Sequence, residues 1–244
     1  MSPVSAVLRR ELRSYFVTPV DYVFLVIFLV LAGILTFYTG DFYERGQADL
    51  QPFFTMHPWL YLILVPAVSM RLWAEEDKGG TLELLLTLPL TLRQAMLGKF
   101  FAAWLFLGLA LALTVPIWIT VNYLGAPDNG VILAGYLGSW LMAGAFLAIG
   151  ACLSTFTRSQ VVAFILTALI CVLLILAGQP QVLDFFQGTV PRKLINGIAH
   201  LSMLRHFEAI ARGVLDVRDL LYFLFTIVAW LTAGVLVLDL KRTR

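Results

Sequence analysis

Six long runs of apolar residues divide this chain, and they restrict its fold more than any other feature of the sequence. A helix that crosses a hydrocarbon core about 30 Å thick needs roughly 20 predominantly apolar residues. The runs are continuous rather than alternating, and an open sheet edge cannot face lipid, so helices fit them better than strands. The sequence predicts an all-α polytopic membrane protein of one domain, residues 1–244, with six transmembrane helices at approximately residues 21–40, 57–74, 95–122, 131–156, 160–178 and 218–239.

Composition agrees with a bilayer environment and argues against several classes of function. Hydrophobic residues make up 60% of the chain and charged residues 13%, with a mean hydropathy of +0.89, which is outside the usual range of soluble domains. The formal net charge of +2 is too small to indicate a nucleic-acid partner, and no basic stretch alternates with aromatic residues. Cys152 and Cys171 lie inside apolar runs, where they are typical small core residues.

The distribution of lysine and arginine predicts the orientation of the spans, because cytoplasmic loops carry an excess of these residues. Residues 41–56 carry a single arginine beside three acidic residues, and residues 123–130 carry no basic residue. These two short loops are therefore predicted to lie outside, which makes both termini cytoplasmic. The first run is too long for the apolar region of a signal peptide, and no small-residue cleavage site follows it, so we expect it to be retained.

The segment SPVSAVLRRELRSYFVTP before the first run predicts an amphipathic helix over residues 3–17. Pro3 can open this helix, and apolar residues recur at helical spacing while Arg9, Arg10 and Arg13 lie toward the other side. Such a helix lies in the membrane interface with its arginines at anionic headgroups. The alternative is a solvated N-terminal helix with no special role.

The loop between the second and third runs, residues 75–92, combines an acidic cluster, a glycine pair and a short leucine-rich helix. The acidic residues at 75–77 cannot lie in hydrocarbon, so the membrane ends before them. Gly80 allows the backbone to turn sharply. Thr81 is a good N-cap, and Pro89 stops the helix that follows.

The predicted loop helix, residues 82–88, has about two turns and is marginal on its own in water. Glu83 suits the helix dipole and forms a polar stripe with Thr87 and Thr91. Leucines cover most of the remaining surface, namely Leu82, Leu84, Leu85, Leu86 and Leu88. This surface must be buried either against lipid and neighbouring spans or against another subunit, and the residues alone leave both alternatives open.

Three stretches resemble a known family of membrane proteins. The run MRLWAEEDKGGTLELLLTLPLTLRQAMLGKF is similar to the first cytoplasmic loop of ABC-2 type transporter permeases, in particular the branch of gliding-motility-associated permeases. The N-terminal stretch ELRSYFVTPVDYVF and the stretch LSMLRHFEAIARGVLDVRDLLYFL before the last run resemble the same branch. The resemblance covers nearly the whole chain in order, and it is more specific than six apolar runs.

The resemblance implies roles for particular residues. In that family the loop helix is a coupling helix that docks in a groove of a cytoplasmic ATP-binding subunit, and the amphipathic N-terminal helix is an elbow helix in the membrane interface. The acidic pair and the Gly-Thr-x-Glu core match here, but Asp77 stands where a basic residue is expected and Gly79 adds a second glycine. The implied ATPase-coupling residues are Glu75, Glu76, Gly80, Thr81, Leu82, Glu83, Leu84, Leu85 and Leu86.

The resemblance also implies partners and a location. They are separate ABC ATPase subunits, a second permease copy or homologue that makes a homodimer or heterodimer, and the cell inner membrane. The chain contains no G-x-x-x-x-G-K-[ST] phosphate loop, so ATP and magnesium are expected in the ATPase and no cofactor in this non-catalytic chain. The scattered His57, His200 and His206 lack any metal-binding motif, so no metal site is expected.

Other transporter and enzyme classes fit the sequence less well. We find no clear ionisable residue in the interiors of the six predicted spans, whereas proton-driven carriers and intramembrane hydrolases need such groups at depth. Pro66 and Pro116 predict kinks rather than broken half-helices. Residues 180–212 predict short outer-side helices that could gate an exit or hold an auxiliary protein.

The resulting prediction is an exporter-like permease subunit that couples ATP hydrolysis by a partner to movement of its helices and to substrate translocation. The alternative is an ATP-driven complex that transmits force to an outer-side partner without transport. A secondary carrier is a third and weaker reading.

Overall fold

The computed structural model describes residues 3–39, 48–81, 90–179, 182, 197 and 200–242, and no strand occurs among them. The helices that it describes are α1 (Pro3–Val17), α2 (Pro19–Ile34, followed by a π-helical turn, Leu35–Thr39), α3 (Gln51–Ser69), α4 (Arg71–Gly79), α5 (Leu92–Ala112), α6 (Val115–Leu124), α7 (Asn129–Ser154), α8 (Gln160–Leu176), α9 (Met203–Ala211) and α10 (Val217–Arg242).

Five helical stretches are long and apolar enough to cross a membrane, which confirms the predicted all-α polytopic class. They are Pro19–Tyr38, Gln51–Gly79, Leu92–Leu124, Asn129–Ser154 and Val217–Lys241. Helix α8 is also apolar but has only 17 residues. The described residues therefore provide five candidate spans and one shorter apolar helix at the place of the fifth predicted span.

The second stretch extends beyond the predicted residues 57–74 at both ends. It begins at Gln51 because Pro52 lies in the first turn of α3, where a missing N–H costs no helical hydrogen bond. At the other end the chain remains helical as far as Gly79. The acidic residues at 75–77 therefore belong to a helical continuation of a span rather than to an irregular loop.

The third stretch is interrupted where one helix over residues 95–122 was predicted. Helices α5 and α6 are separated by a turn, and Pro116 occupies the first turn of α6 instead of kinking a continuous helix. The Thr114 hydroxyl donates a 2.6 Å hydrogen bond to the Leu111 carbonyl at this turn. Because α6 begins directly after this turn, Pro116 stands in the first turn of a helix, where proline is tolerated best.

Helix α7 is the centre of the bundle and packs against α3, α5, α8, α9 and α10. Its glycines lie where neighbouring side chains approach most closely: Gly135 faces Phe54, Gly138 faces Ile210, Gly144 faces Trp104, and Gly150 faces Ser69. Small residues permit such close approach in a membrane, where lipid supplies no hydrophobic drive between helices. Within the described residues, these glycines of α7 thus serve packing inside the bundle.

A pair of glycine substitutions tests this packing. In Gly150→Ala the new methyl group would overlap the Ser69 side chain, whereas around Gly33 no atom lies within 4 Å of an added Cβ. We expect Gly150→Ala to lower the free energy of unfolding by about 1–3 kcal/mol through overpacking. The matched Gly33→Ala should be neutral or stabilising by up to about 1 kcal/mol. Thermal unfolding in detergent measures both, and equal effects would contradict the assigned packing.

Helix α1 lies along α5. Gly98 of α5 faces Val7 of α1, and the Tyr15 ring stacks on Phe106 with 4.9 Å between ring centroids. The arginines of the predicted elbow are exposed, namely Arg9, Arg10 and Arg13. Their contact with headgroups stays a prediction.

The two ends of the bundle carry different elements. Helices α1 and α4, the start of α5, residues 155–159 and the end of α10 meet at one end, which we call the loop side. Helix α9 and the starts of α3 and α10 lie together at the opposite end, the far side. The N-terminal helix and the end of the last helix therefore share one side, as the predicted orientation requires.

Candidate functional site

The charged residues of α4 and their ion-pair partners form the largest polar assembly of the described residues, which we call the α4 network. Helix α4 carries the acidic cluster of the sequence, and it reaches α1, α2, α5, α10 and the connection between α7 and α8 through side-chain ion pairs. The members of the network are Arg10, Glu11, Asp21, Arg71, Glu75, Glu76, Asp77, Lys99, Arg158 and Lys241.

Lys99 of α5 is the buried cation of the α4 network. Its side chain is 3% exposed, and its Nζ lies 3.2 Å from Glu11 of α1 and 2.9 Å from Glu76 of α4. The same Nζ lies 5.4 Å from the centroid of the buried Trp73 ring. Taking an ammonium out of water costs several kcal/mol unless it is paired. Two carboxylates and a π face supply that compensation.

Arg10 adds a second cation at the same point, since it bonds both Glu11 and Glu76. Burial alone raises the pKa of the Glu11 carboxyl, but the charges of Lys99 and Arg10 and their hydrogen bonds outweigh burial and hold that pKa below its usual range. The carboxylate that joins α1 to α5 therefore stays ionised at neutral pH.

Arg71, at the start of α4, joins the first span to the loop side. Its Nη1 donates to both carboxylate oxygens of Asp21 at 3.1 Å, and its Nε donates to Glu75 at 2.9 Å. The Asp21 side chain is only 3% exposed. Asp21 lies in the first turn of α2, where a negative charge also suits the helix dipole.

Asp77 joins the end of α4 to two further elements. Its carboxylate accepts from Arg158, between α7 and α8, at 3.1 Å and from Lys241, at the end of α10, at 2.7 Å. Asp77 is the residue that departs from the family pattern. In the structure its negative charge is paired with two cations of the same chain.

Gly80 ends α4 and sets the direction of the loop. Its φ of 70° lies in the left-handed region, which glycine adopts without the penalty that a side chain brings. The Thr81 hydroxyl donates to the Glu76 carbonyl at 3.3 Å. The remaining predicted coupling residues lie outside the described residues, namely Leu82, Glu83, Leu84, Leu85 and Leu86.

The two described acids of the predicted coupling set have different surroundings. Glu75 keeps half of its side chain exposed, whereas the Glu76 side chain is 16% exposed and already holds Lys99 and Arg10. Within the described residues, one oxygen of Glu76 and the indole N–H of Trp73 are buried without a hydrogen-bond partner. A contact of either acid with an ATPase stays a prediction.

Three ionisable residues are buried near the ends of the predicted spans. Asp21, His57 and Lys99 are buried within helices that can span a membrane. Asp21 and Lys99 are neutralised by the ion pairs above, and the His57 ring contacts the Phe53 carbonyl at 3.1 Å. Sequence reasoning missed the ion pairs of Asp21 and Lys99 because their partners are distant in the chain. The one local signal in the sequence was that Asp21 and Lys99 lie within a few residues of the ends of predicted spans.

The far side contains a smaller polar contact. Nδ1 of His206 on α9 lies 2.6 Å from Asp219 on α10, and the ring stacks on Tyr222 with 4.0 Å between centroids. Ser202 caps α9. Helix α10 is therefore joined to α9 at its start and to α4 at its end.

Comparison with known proteins agrees with the architecture. The sequence model of the family described as ABC-2 family transporter protein matches residues 5–240. A search of curated proteins returns no match. The narrower resemblance to gliding-motility-associated permeases stays a prediction. Because the family match spans nearly the whole chain and the helices form a multi-pass membrane architecture, the chain belongs to the ABC-2 transporter family, whose members are membrane subunits of ABC transporters.

Proposed function

We propose that this chain is an exporter-like permease subunit in which the loop after α4 receives the movement of a separate ATPase subunit and α4 distributes it to the membrane helices. The observation that carries the proposal is the α4 network. A single helix of nine residues, continuous with a candidate span, is ion-paired to four other helices and one interhelical connection.

The geometry of the α4 network favours concerted rather than independent movement. Charge-assisted hydrogen bonds of 2.7–3.2 Å connect α4 to its neighbours, and such bonds are roughly twice as strong as neutral ones. Displacement of the loop would pull on Gly80, the last turn of α4 and then α3. The ion pairs would carry the same displacement to α1, α5 and α10.

The remaining parts of the proposal follow from the family and the sequence. ATP and magnesium would bind to the partner ATPase, since this chain carries no phosphate loop. Family members have ABC ATPase partners and often dimeric membrane subunits. We propose that the loop side faces the cytoplasm of a cell whose inner membrane contains the protein, with two permease subunits in the complex.

Two substitutions in the loop helix test the coupling. We expect Leu85→Asp and Glu83→Lys to abolish co-purification of the ATPase in mild detergent or to remove ATP-driven activity of the complex. Leu85→Asp places a charge on a surface that is proposed to be buried, and Glu83→Lys reverses a charge that is proposed to pair with the ATPase. Leu124→Asp is the matched control, since Leu124 is 52% exposed near the far side. Coupled activity that persists in both well-inserted loop variants would refute the proposal.

A second candidate function, transmission of force without transport, is favoured by the contacts of α10. Lys241 joins its end to α4, and Asp219 joins its start to His206 on the far side. Movement of α4 would thus reach a surface where an auxiliary outer-side protein could bind. ATP-dependent movement of a spin label on α9 in vesicles that show no substrate flux would support this function over transport.

A further inference from the structure

An apolar groove lies between α5 and α10 near the loop side. Its volume is about 330 Å³, and its apolar lining comes from Met96 and Leu97 of α5 and from Leu231, Val235 and Leu236 of α10. Leu97 is 37% exposed and Leu236 is 64% exposed, so the groove opens to the outside of the described bundle. In a bilayer this opening faces acyl chains or another protein.

One charged and one hydroxyl side chain, those of Arg93 and Thr232, interrupt the apolar lining of this groove. Arg93, in the first turn of α5, lies on its wall and is exposed. The described residues provide no ion-pair or hydrogen-bond partner for its guanidinium. Because Arg93 lies in the first turn of a candidate span that begins on the loop side, a bilayer around the spans would place Arg93 near its lipid headgroups. A guanidinium beside an apolar groove at this depth matches a molecule with a phosphate next to an alkyl chain.

We propose that the groove between α5 and α10 binds one anionic phospholipid of the loop-side leaflet, with an acyl chain along Leu97 and Leu236 and the phosphate on Arg93. The charge of Arg93 favours a lipid over a second protein copy, because a protein surface without an acidic partner would bury an unpaired guanidinium at a cost of several kcal/mol. A phosphodiester would neutralise Arg93 while its headgroup stays in water. The proposal concerns this chain alone and does not depend on ATPase coupling.

Lipid retention in native mass spectrometry tests the proposal with the purified full-length chain. Phosphatidylglycerol and phosphatidylcholine with identical acyl chains are added separately to the detergent-solubilised protein. We expect one phosphatidylglycerol to bind preferentially. Arg93→Gln should weaken its affinity about five- to tenfold, as expected when the protein loses one cation that contacts the lipid headgroup. Leu236→Trp, which fills the groove, should weaken both lipids.

Arg218→Gln is the matched control, since it removes an exposed arginine at the far-side end of α10, at the opposite end of that helix from the groove. It should leave the bound lipid unchanged, and thermal unfolding checks that all variants are folded. Equal retention of the two lipids, or an unchanged affinity in both groove variants, would overturn the proposal. A dimer that dissociates in Leu236→Trp would also overturn it, because the groove would then hold a second copy.

Discussion

Replacement of Lys99 by methionine is expected to lower the free energy of unfolding by about 3–5 kcal/mol, the cost of removing one partner from a buried ion pair. The methionine matches the length of the lysine stem, so the loss comes from the charge and not from a cavity. Glu11 and Glu76 would then face each other at short range with only Arg10 between them. Thermal or denaturant unfolding of the purified protein measures this loss.

Two further variants separate the charge from the packing. Neutralising the acids in a triple variant, Lys99→Met with Glu11→Gln and Glu76→Gln, should recover most of the lost stability, because no unpaired charge stays buried. Lys78→Met is the matched control, since Lys78 is an exposed lysine on α4, the helix that carries Glu76. A triple variant as unstable as Lys99→Met, or a lysine control that is equally harmful, would contradict this assignment.

The second large effect is expected at the contact between α2 and α4. In Arg71→Met the Asp21 carboxylate, 3% exposed, loses a guanidinium that donates to both of its oxygens. We expect a loss of about 3–5 kcal/mol. Asp21→Asn in the same chain should restore much of it, so that the two substitutions are strongly non-additive.

A double-mutant cycle provides the measurement, with the midpoint of unfolding of the wild type, both single variants and the double variant. Arg9→Met is the control, because Arg9 is an exposed arginine on the loop side that lacks an ion pair among the described residues. Additive effects of the two substitutions would mean that Asp21 and Arg71 act independently, which would contradict the ion pair in which one Arg71 nitrogen donates to both oxygens of Asp21.

The sequence predicted most of the helical architecture for a simple physical reason. Lipid requires every backbone polar group to be bonded within its own segment, so continuous apolar runs become helices almost wherever they occur. The amphipathic spacing of residues 3–17 similarly matched α1. Boundaries failed where polar residues continue a helix, as at the acids of α4, because hydropathy locates the membrane and not the helix end.

The site was only partly predictable because its contacts join residues far apart in the chain. Lys99 pairs with Glu11 across 88 positions, and Lys241 pairs with Asp77 across 164. The sequence predicted that these charges lie on one side of the membrane, but it could not predict which of them form ion pairs. Asp77 looked like a departure from a family pattern, and only the structure shows the cations that it neutralises.

The α4 network also makes the loop a poor unit for exchange between related proteins. A chimera that receives residues 70–91 from a homologue would gain the acids and the arginine of this segment. The cations that pair with those acids, and the carboxylate that pairs with the arginine, would remain behind in the donor chain. Positions 10, 21, 99, 158 and 241 would have to be transplanted with it. Specificity for a foreign ATPase would therefore require grafting a dispersed set of side chains rather than a single segment.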